Sequence, residues 1–194
     1  MKVAVVGASG YTGLELLRLL LRHPEFEIAA ATSEQRAGRA VGEAFPSLRG
    51  QLDLAFEVAD PAALAGRVEL AFTALPHAAS APTVRALRRA GVKVVDLSAD
   101  FRLRDVETYR RWYGEHPAPE LLTDAVYGLP ELHRAALRRT SLVAVPGCYP
   151  TSALLPLAPL LREGLVEPTG IHVDAKSGVS GAGRKVEADY LFAE

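Results

Sequence analysis

The 194-residue chain holds one cysteine, one methionine and one tryptophan, and only 7% of it is aromatic. A lone thiol, Cys148, forms no internal disulfide and supplies no all-thiolate metal site. The five histidines show no His-x-x-x-His spacing and there is no Cys-x-x-Cys, so no metal is expected. No continuous apolar run approaches the roughly 18 residues that span a bilayer. With a net charge of -1 and no basic block, nothing in the sequence points to nucleic acid. Lysine is scarce: Lys2, Lys93, Lys176 and Lys185 are the only ones among 22 basic residues. None lies four residues after any of the six tyrosines, which excludes the arrangement a short-chain reductase uses to activate its tyrosine. Met1 opens directly on a strand-like run, so no signal peptide is expected, and the unpaired thiol suits a reducing cytoplasm.

What is present begins with the setting of that thiol. Cys148 stands in Val145-Pro146-Gly147-Cys148-Tyr149-Pro150-Thr151, after a strand-like run from Ser141 to Val145. Leu154, Leu155, Leu157, Leu160 and Leu161 follow at helical spacing. The pattern predicts a turn that delivers the sulfur to a helix N-terminus, where the dipole and free N–H groups favour thiolate over thiol. Cys148 therefore reads as a nucleophile rather than a small buried hydrophobe.

The second signal is at the N-terminus. Lys2 to Val6 is a short apolar run that enters Gly7-Ala8-Ser9-Gly10-Tyr11-Thr12-Gly13, and leucines then cover one helical face to Arg22. Strand, glycine-rich turn and helix form a dinucleotide fingerprint of the G-x-x-G-x-x-G kind. Further strands are predicted over 26–32, 68–73, 91–97, 141–145 and 171–175, with helices over 13–22, 79–90 and 106–113 and an irregular stretch from 34 to 60. This alternation implies an α/β Rossmann-type fold, a doubly wound and mostly parallel sheet whose ligands lie at the carboxyl ends of the strands.

That rule sorts the polar residues. After the second strand come Thr32, Ser33, Glu34, Gln35 and Arg36, where an NAD-preferring protein usually places a carboxylate on the ribose. Ser33 and Arg36 read instead as binders of a 2′-phosphate, hence NADP, with Glu34 turned to solvent; the other reading is a polar loop with an incidental arginine. Ala74-Leu75-Pro76-His77 and Asp96-Leu97-Ser98-Ala99-Asp100-Phe101-Arg102 also follow strands. Arg102 suits a phosphate or carboxylate of a substrate beside the thiol, or else an ion pair with Asp100 or Asp105. His77 is a base or, more commonly in such a loop, a capping or packing residue. A second glycine-rich run, Lys176 to Lys185, is placed to approach a cofactor from the far side or to form a plain loop. Two glycine loops and a thiol outline a dehydrogenase that works through a thioester.

Taken together, these motifs resemble the N-acetyl-gamma-glutamyl-phosphate reductases of arginine biosynthesis, in the wider group that includes aspartate-semialdehyde dehydrogenase. Tyr127-Gly128-Leu129-Pro130-Glu131 and Ser177-Gly178-Val179-Ser180-Gly181-Ala182-Gly183 extend the match along the whole chain. The resemblance implies that Cys148 is the nucleophile. It places Gly7, Ser9, Gly10, Tyr11, Thr12, Gly13, Leu75, Pro76, Ser177, Gly178, Ser180 and Gly181 on NADP, and Ser98, Arg102 and Tyr127 on the substrate. It divides the chain into an NADP-binding domain, 1–147, and the opening of an α+β catalytic and dimerisation domain, 148–194, with a homo-oligomer, dimer or tetramer, at full length. The implied substrate is a small acyl phosphate, with neither nucleic acid nor membrane as partner. Two positions depart from the family: Val145 stands where asparagine is common, and Ser152 where alanine or glycine is common. Family members are also considerably longer, and their catalytic histidine lies beyond the last glycine loop, in a segment absent here, so the chain reads as truncated. Two alternatives stay open: an aminoadipyl phosphate one carbon longer, since one methylene is worth only about 1–3 kcal/mol of discrimination, and a non-enzymatic NADP-binding module.

Overall fold

The computed structural model describes residues 1–184. Its chain order is β1 (Lys2–Val6), α1 (Tyr11–Leu20), β2 (Glu27–Ala31), α2 (Val41–Ala44), α3 (Pro61–Ala65), β3 (Leu70–Thr73), α4 (Ser80–Arg89), β4 (Lys93–Asp96), α5 (Val106–Tyr113), β5 (Val126–Tyr127), α6 (Pro130–Leu137), β6 (Leu142–Ala144) and α7 (Cys148–Arg162). The six strands form one sheet in the order β2-β1-β3-β4-β6-β5, and every pairing is parallel.

Burial on both faces explains the apolar strands. In β1, Val3 and Val5 join a core with Leu17, Leu20, Phe45 and Phe56, whereas Ala4 and Val6 join another with Leu64, Val84, Leu87 and Phe101. Successive side chains point to opposite faces, so a strand covered on both sides reads as one unbroken apolar run. Two reversals in strand order position the site. The chain leaves β1 toward β2 and returns to β3 on the other side of β1, which opens a crevice at their carboxyl ends. It then runs out to the edge strand β5 and comes back through β6, between β4 and β5. The loops after β4, β5 and β6 are thereby brought side by side.

Most of the predicted elements recur within a residue or two. The run 171–175 is a correction: Ile171 to Ala175 forms no strand. A β-strand needs a neighbour to satisfy its N–H and C=O groups, and this segment lies exposed with no ladder partner among the described residues. Helices α3 and α6 and strand β5 were not anticipated; α3 begins where Asp60 accepts N–H bonds from Ala62 and Ala63, a signal that was legible.

Candidate active site

The first glycine turn is built from two close approaches and one open position. A methyl on Gly7, whose φ is +78°, would stand 2.7 Å from the Ala74 carbonyl oxygen after β3. On Gly13 it would stand 2.2 Å from the Ala8 oxygen, so glycine is what lets α1 rest on the turn. Gly10 meets nothing within 4 Å. It is also the N-cap residue of α1, which has no side-chain cap, so the first-turn N–H groups face a space shaped for an anion.

Thr32 and Ser33 tie this turn to the end of β2. Gly7 N–H donates to Thr32 Oγ1 at 3.2 Å, and Ala8 N–H to the Thr32 carbonyl at 2.8 Å. Ser33 donates to Ser9 Oγ at 2.8 Å and is 5% exposed, so it supports the crevice from beneath rather than facing it. Arg36 lines a cavity of about 470 Å³ together with Ser9, Gly10, Gln35 and Arg184. Glu34 lies outside that lining and is exposed, as expected, while its carboxylate also accepts the Ala59 N–H. Leu75 reaches toward Gly7, Pro76 is exposed, and Tyr11, Thr12, Ser180 and Gly181 meet around a second cavity of about 560 Å³. Each of these positions fits a dinucleotide: tight where backbone must pack, open at Gly10, cationic beside Ser9.

The thiol sits on the other half of the sheet. Cys148 is exposed at the first residue of α7, a 15-residue helix whose N-cap is Gly147. Pro150 lies in its first turn, where no N–H is missed. A cavity of about 400 Å³ opens beside Cys148, with Tyr149, Ser152, Val173, Lys176 and Ser177 around it. Ser177 also explains Gly181, whose added methyl would fall 2.4 Å from the Ser177 Oγ.

Arg102 pairs with neither Asp100 nor Asp105. Its Nε donates to the Val145 carbonyl at 2.8 Å and one terminal nitrogen, Nη2, to the Leu97 carbonyl at 2.9 Å. The other, Nη1, would stand 3.2 Å from a methyl on Gly147, so the guanidinium is locked against the turn that carries Cys148. Burial pushes the Tyr127 hydroxyl pKa up, and the Arg102 charge opposes that shift. Asp105 instead caps α5 by accepting the Thr108 N–H.

Ser98 is a correction in role. It is buried, donates to Asp96 and accepts the Asp100 N–H, so its hydroxyl holds the turn and does not face a substrate. Asp96 also accepts the hydroxyls of Thr73 and Ser80. Asp100 accepts the N–H groups of Ala78 and Ala81 and the Tyr109 hydroxyl, capping α4 from across the fold. The supporting role of these carboxylates is not legible in sequence, because the partners Thr73, Ser80, Ala78 and Ala81 lie 16 to 23 residues away. His77 is exposed and its ring centroid lies 5.7 Å from that of Tyr113, the packing alternative.

The model of the semialdehyde dehydrogenase NAD-binding domain matches residues 2–140. The chain belongs to the semialdehyde dehydrogenase family. The dimerisation-domain model of the same family matches residues 148–194. Among curated relatives, a protein of Geobacter sp. (strain M21) named N-acetyl-gamma-glutamyl-phosphate reductase is 54% identical over all of this chain and 56% of its own length. One from Geotalea daltonii with the same name is 55% identical, again over the whole chain and 56% of the relative. The chain thus spans about half the length of the relatives it matches. Solved aspartate semialdehyde dehydrogenases share the fold: that of Candida albicans, with NADP, has a TM-score of 0.58 at 21% identity over 84% of this chain and 47% of that one. The Francisella tularensis enzyme has a TM-score of 0.59 at 18% identity, over 84% and 41%. No described helix is long and apolar enough to cross a membrane, and no metal-ligand cluster occurs among the described residues.

Proposed function

We propose that the protein carrying this chain reduces N-acetyl-L-glutamyl 5-phosphate to N-acetyl-L-glutamate 5-semialdehyde with NADPH, in arginine biosynthesis. The observation that carries the reading is the exposed Cys148 at the head of α7, with Arg102 anchored against the same turn. Relatives at 54–55% identity are named for the glutamyl substrate, which favours it over the longer aminoadipyl one.

The residues divide the work. Two donors of Arg102 are spent on main-chain carbonyls, so Nη1 is presented in a fixed direction, as recognition of a substrate phosphate requires. Cys148 sulfur forms a bond to the acyl carbon while the carbon–oxygen bond to phosphate breaks and phosphate leaves with the electron pair. N–H groups in the first turn of α7 are placed to hold the oxygen of the resulting thioester. A nicotinamide cofactor, when bound, would supply the hydride for reduction of that thioester, and Cys148 sulfur would then leave as thiolate. Gly7, Gly10, Gly13 and Ser9 would hold the pyrophosphate side of NADP, Arg36 its 2′-phosphate, and Leu75, Pro76, Ser177, Gly178, Ser180 and Gly181 would close around the rest. Tyr127 shapes the substrate side beside Arg102. The division at 147/148, a homo-oligomeric assembly and a cytoplasmic location belong to the same reading; the dimerisation-domain match supports the assembly.

The test is phosphate-dependent reduction of NADP by the semialdehyde, in a protein that carries this chain at the length of its relatives. Cys148→Ser is expected to keep NADPH binding and lose turnover by several orders of magnitude. Undiminished turnover in that variant would sink the covalent route.

A further inference from the structure

The nucleotide crevice carries a cation from the far end of the described chain. Arg184 follows the 3₁₀ turn Val179–Ala182, and its Nη1 donates to the Ser9 carbonyl at 3.0 Å, a contact across 175 residues. The guanidinium carbon lies 5.3 Å from the centre of the Phe45 ring and 5.9 Å from that of Tyr11. A buried aromatic, an exposed aromatic and a main-chain carbonyl thus orient one planar fork. Cation–π contacts of this kind hold a guanidinium by the attraction of its charge to the ring faces. Arg36 lines the same cavity, whose described lining holds two arginines and no acidic residue. Two like charges that converge on one solvent-filled space repel each other, and an anion between them removes that cost.

The position names the anion. The crevice lies between the glycine turn and the end of β2, where a dinucleotide on this fold lays its adenosine ribose. The phosphate that distinguishes NADP from NAD is carried there. We propose that Arg184 and Arg36 grip the 2′-phosphate from two sides, so that Arg184 is a specificity-determining residue. Cofactor choice is then made jointly by the N-terminal unit and by the second glycine loop, whose Arg184 docks on Ser9. This rests on the NADP reading above and adds to it a residue from outside the first domain. Lysine would not substitute well, because the site uses a flat fork that stacks and donates at once.

The experiment is a calorimetric titration of the 194-residue chain and its Arg184→Gln and Arg36→Gln variants with NADPH, NADH, adenosine 2′,5′-bisphosphate and 5′-AMP. Arg184→Gln is expected to weaken NADPH and the bisphosphate by about tenfold or more, as loss of a charged hydrogen bond does, and to leave NADH and 5′-AMP within about twofold. An equal loss for NADPH and NADH would overturn the proposal, since Arg184 would then serve the pyrophosphate or the loop alone. Unchanged NADPH binding would overturn it as well. The NADP reading fails separately, and takes this inference with it, if the unmodified chain binds the bisphosphate no better than 5′-AMP. Thermal midpoints of the variants, expected to match the parent, separate a lost contact from a lost fold.

Discussion

Three glycines in seven residues do different work, and the difference is measurable. At Gly13 a methyl group collides with the Ala8 carbonyl, so Gly13→Ala must lift α1 away from the turn, at a cost of about 1–3 kcal/mol from overpacking. At Gly10 a methyl enters open space, so Gly10→Ala is expected to change stability by less than about 1 kcal/mol, the usual size of an N-cap exchange. Under the proposed function it should nonetheless weaken nucleotide binding, because that open space is where the pyrophosphate is proposed to approach the backbone. Denaturant unfolding and NADPH titration of both variants test the division; equal destabilisation by the two would refute it. The buried carboxylates behave likewise as individuals. Asp100 bonds the N–H of Ala78, the only non-glycine residue with positive φ among those described, at +62°. A conformation that alanine rarely adopts is thus held by a charge supplied from the next strand's loop.

Single elements depend on caps and neighbours more than on propensity. Helix α5 starts at Asp105, whose carboxylate accepts both the N–H and the hydroxyl of Thr108 at 2.9 Å. The Thr108 N–H chiefly, and its hydroxyl second, hold the Asp105 pKa below the ordinary carboxylate value. A folded-state pKa below the unfolded one means that the stabilisation is fully present above the ordinary value and is lost as pH falls through the lowered one. Asp105→Ala should therefore lower the thermal midpoint at neutral pH, by a gap that narrows on acidification below about pH 4. A gap that stays constant with pH would mean that the carboxylate charge contributes nothing. The segment 171–175 shows the opposite dependence: its alternating apolar residues satisfy a strand pattern, yet with no ladder partner among the described residues they form no strand and stay exposed.

At the scale of the molecule, the two halves differ in how they are covered. The sheet has a core on both faces, whereas no residue of α7 is buried and Leu155, Leu160, Leu161, Leu165 and Ile171 are exposed. Apolar surface of this kind favours association, and sedimentation velocity is expected to show concentration-dependent assembly that Leu160→Glu with Leu161→Glu reduces. A concentration-independent monomer would argue against it. The α/β class, the glycine turn and the delivery of Cys148 to a helix start were legible along the chain, because each is written in short runs of residues whose period or turn chemistry is local. Tertiary structure decided the rest. That β6 lies between β4 and β5, that Arg102 bonds Val145 rather than an aspartate, that Ser33 and Ser98 serve as supports, and that Arg184 meets Ser9 all depend on strand order and on contacts between residues far apart in the chain. Local pattern says which groups seek a partner; only the packed sheet says which partner is within reach.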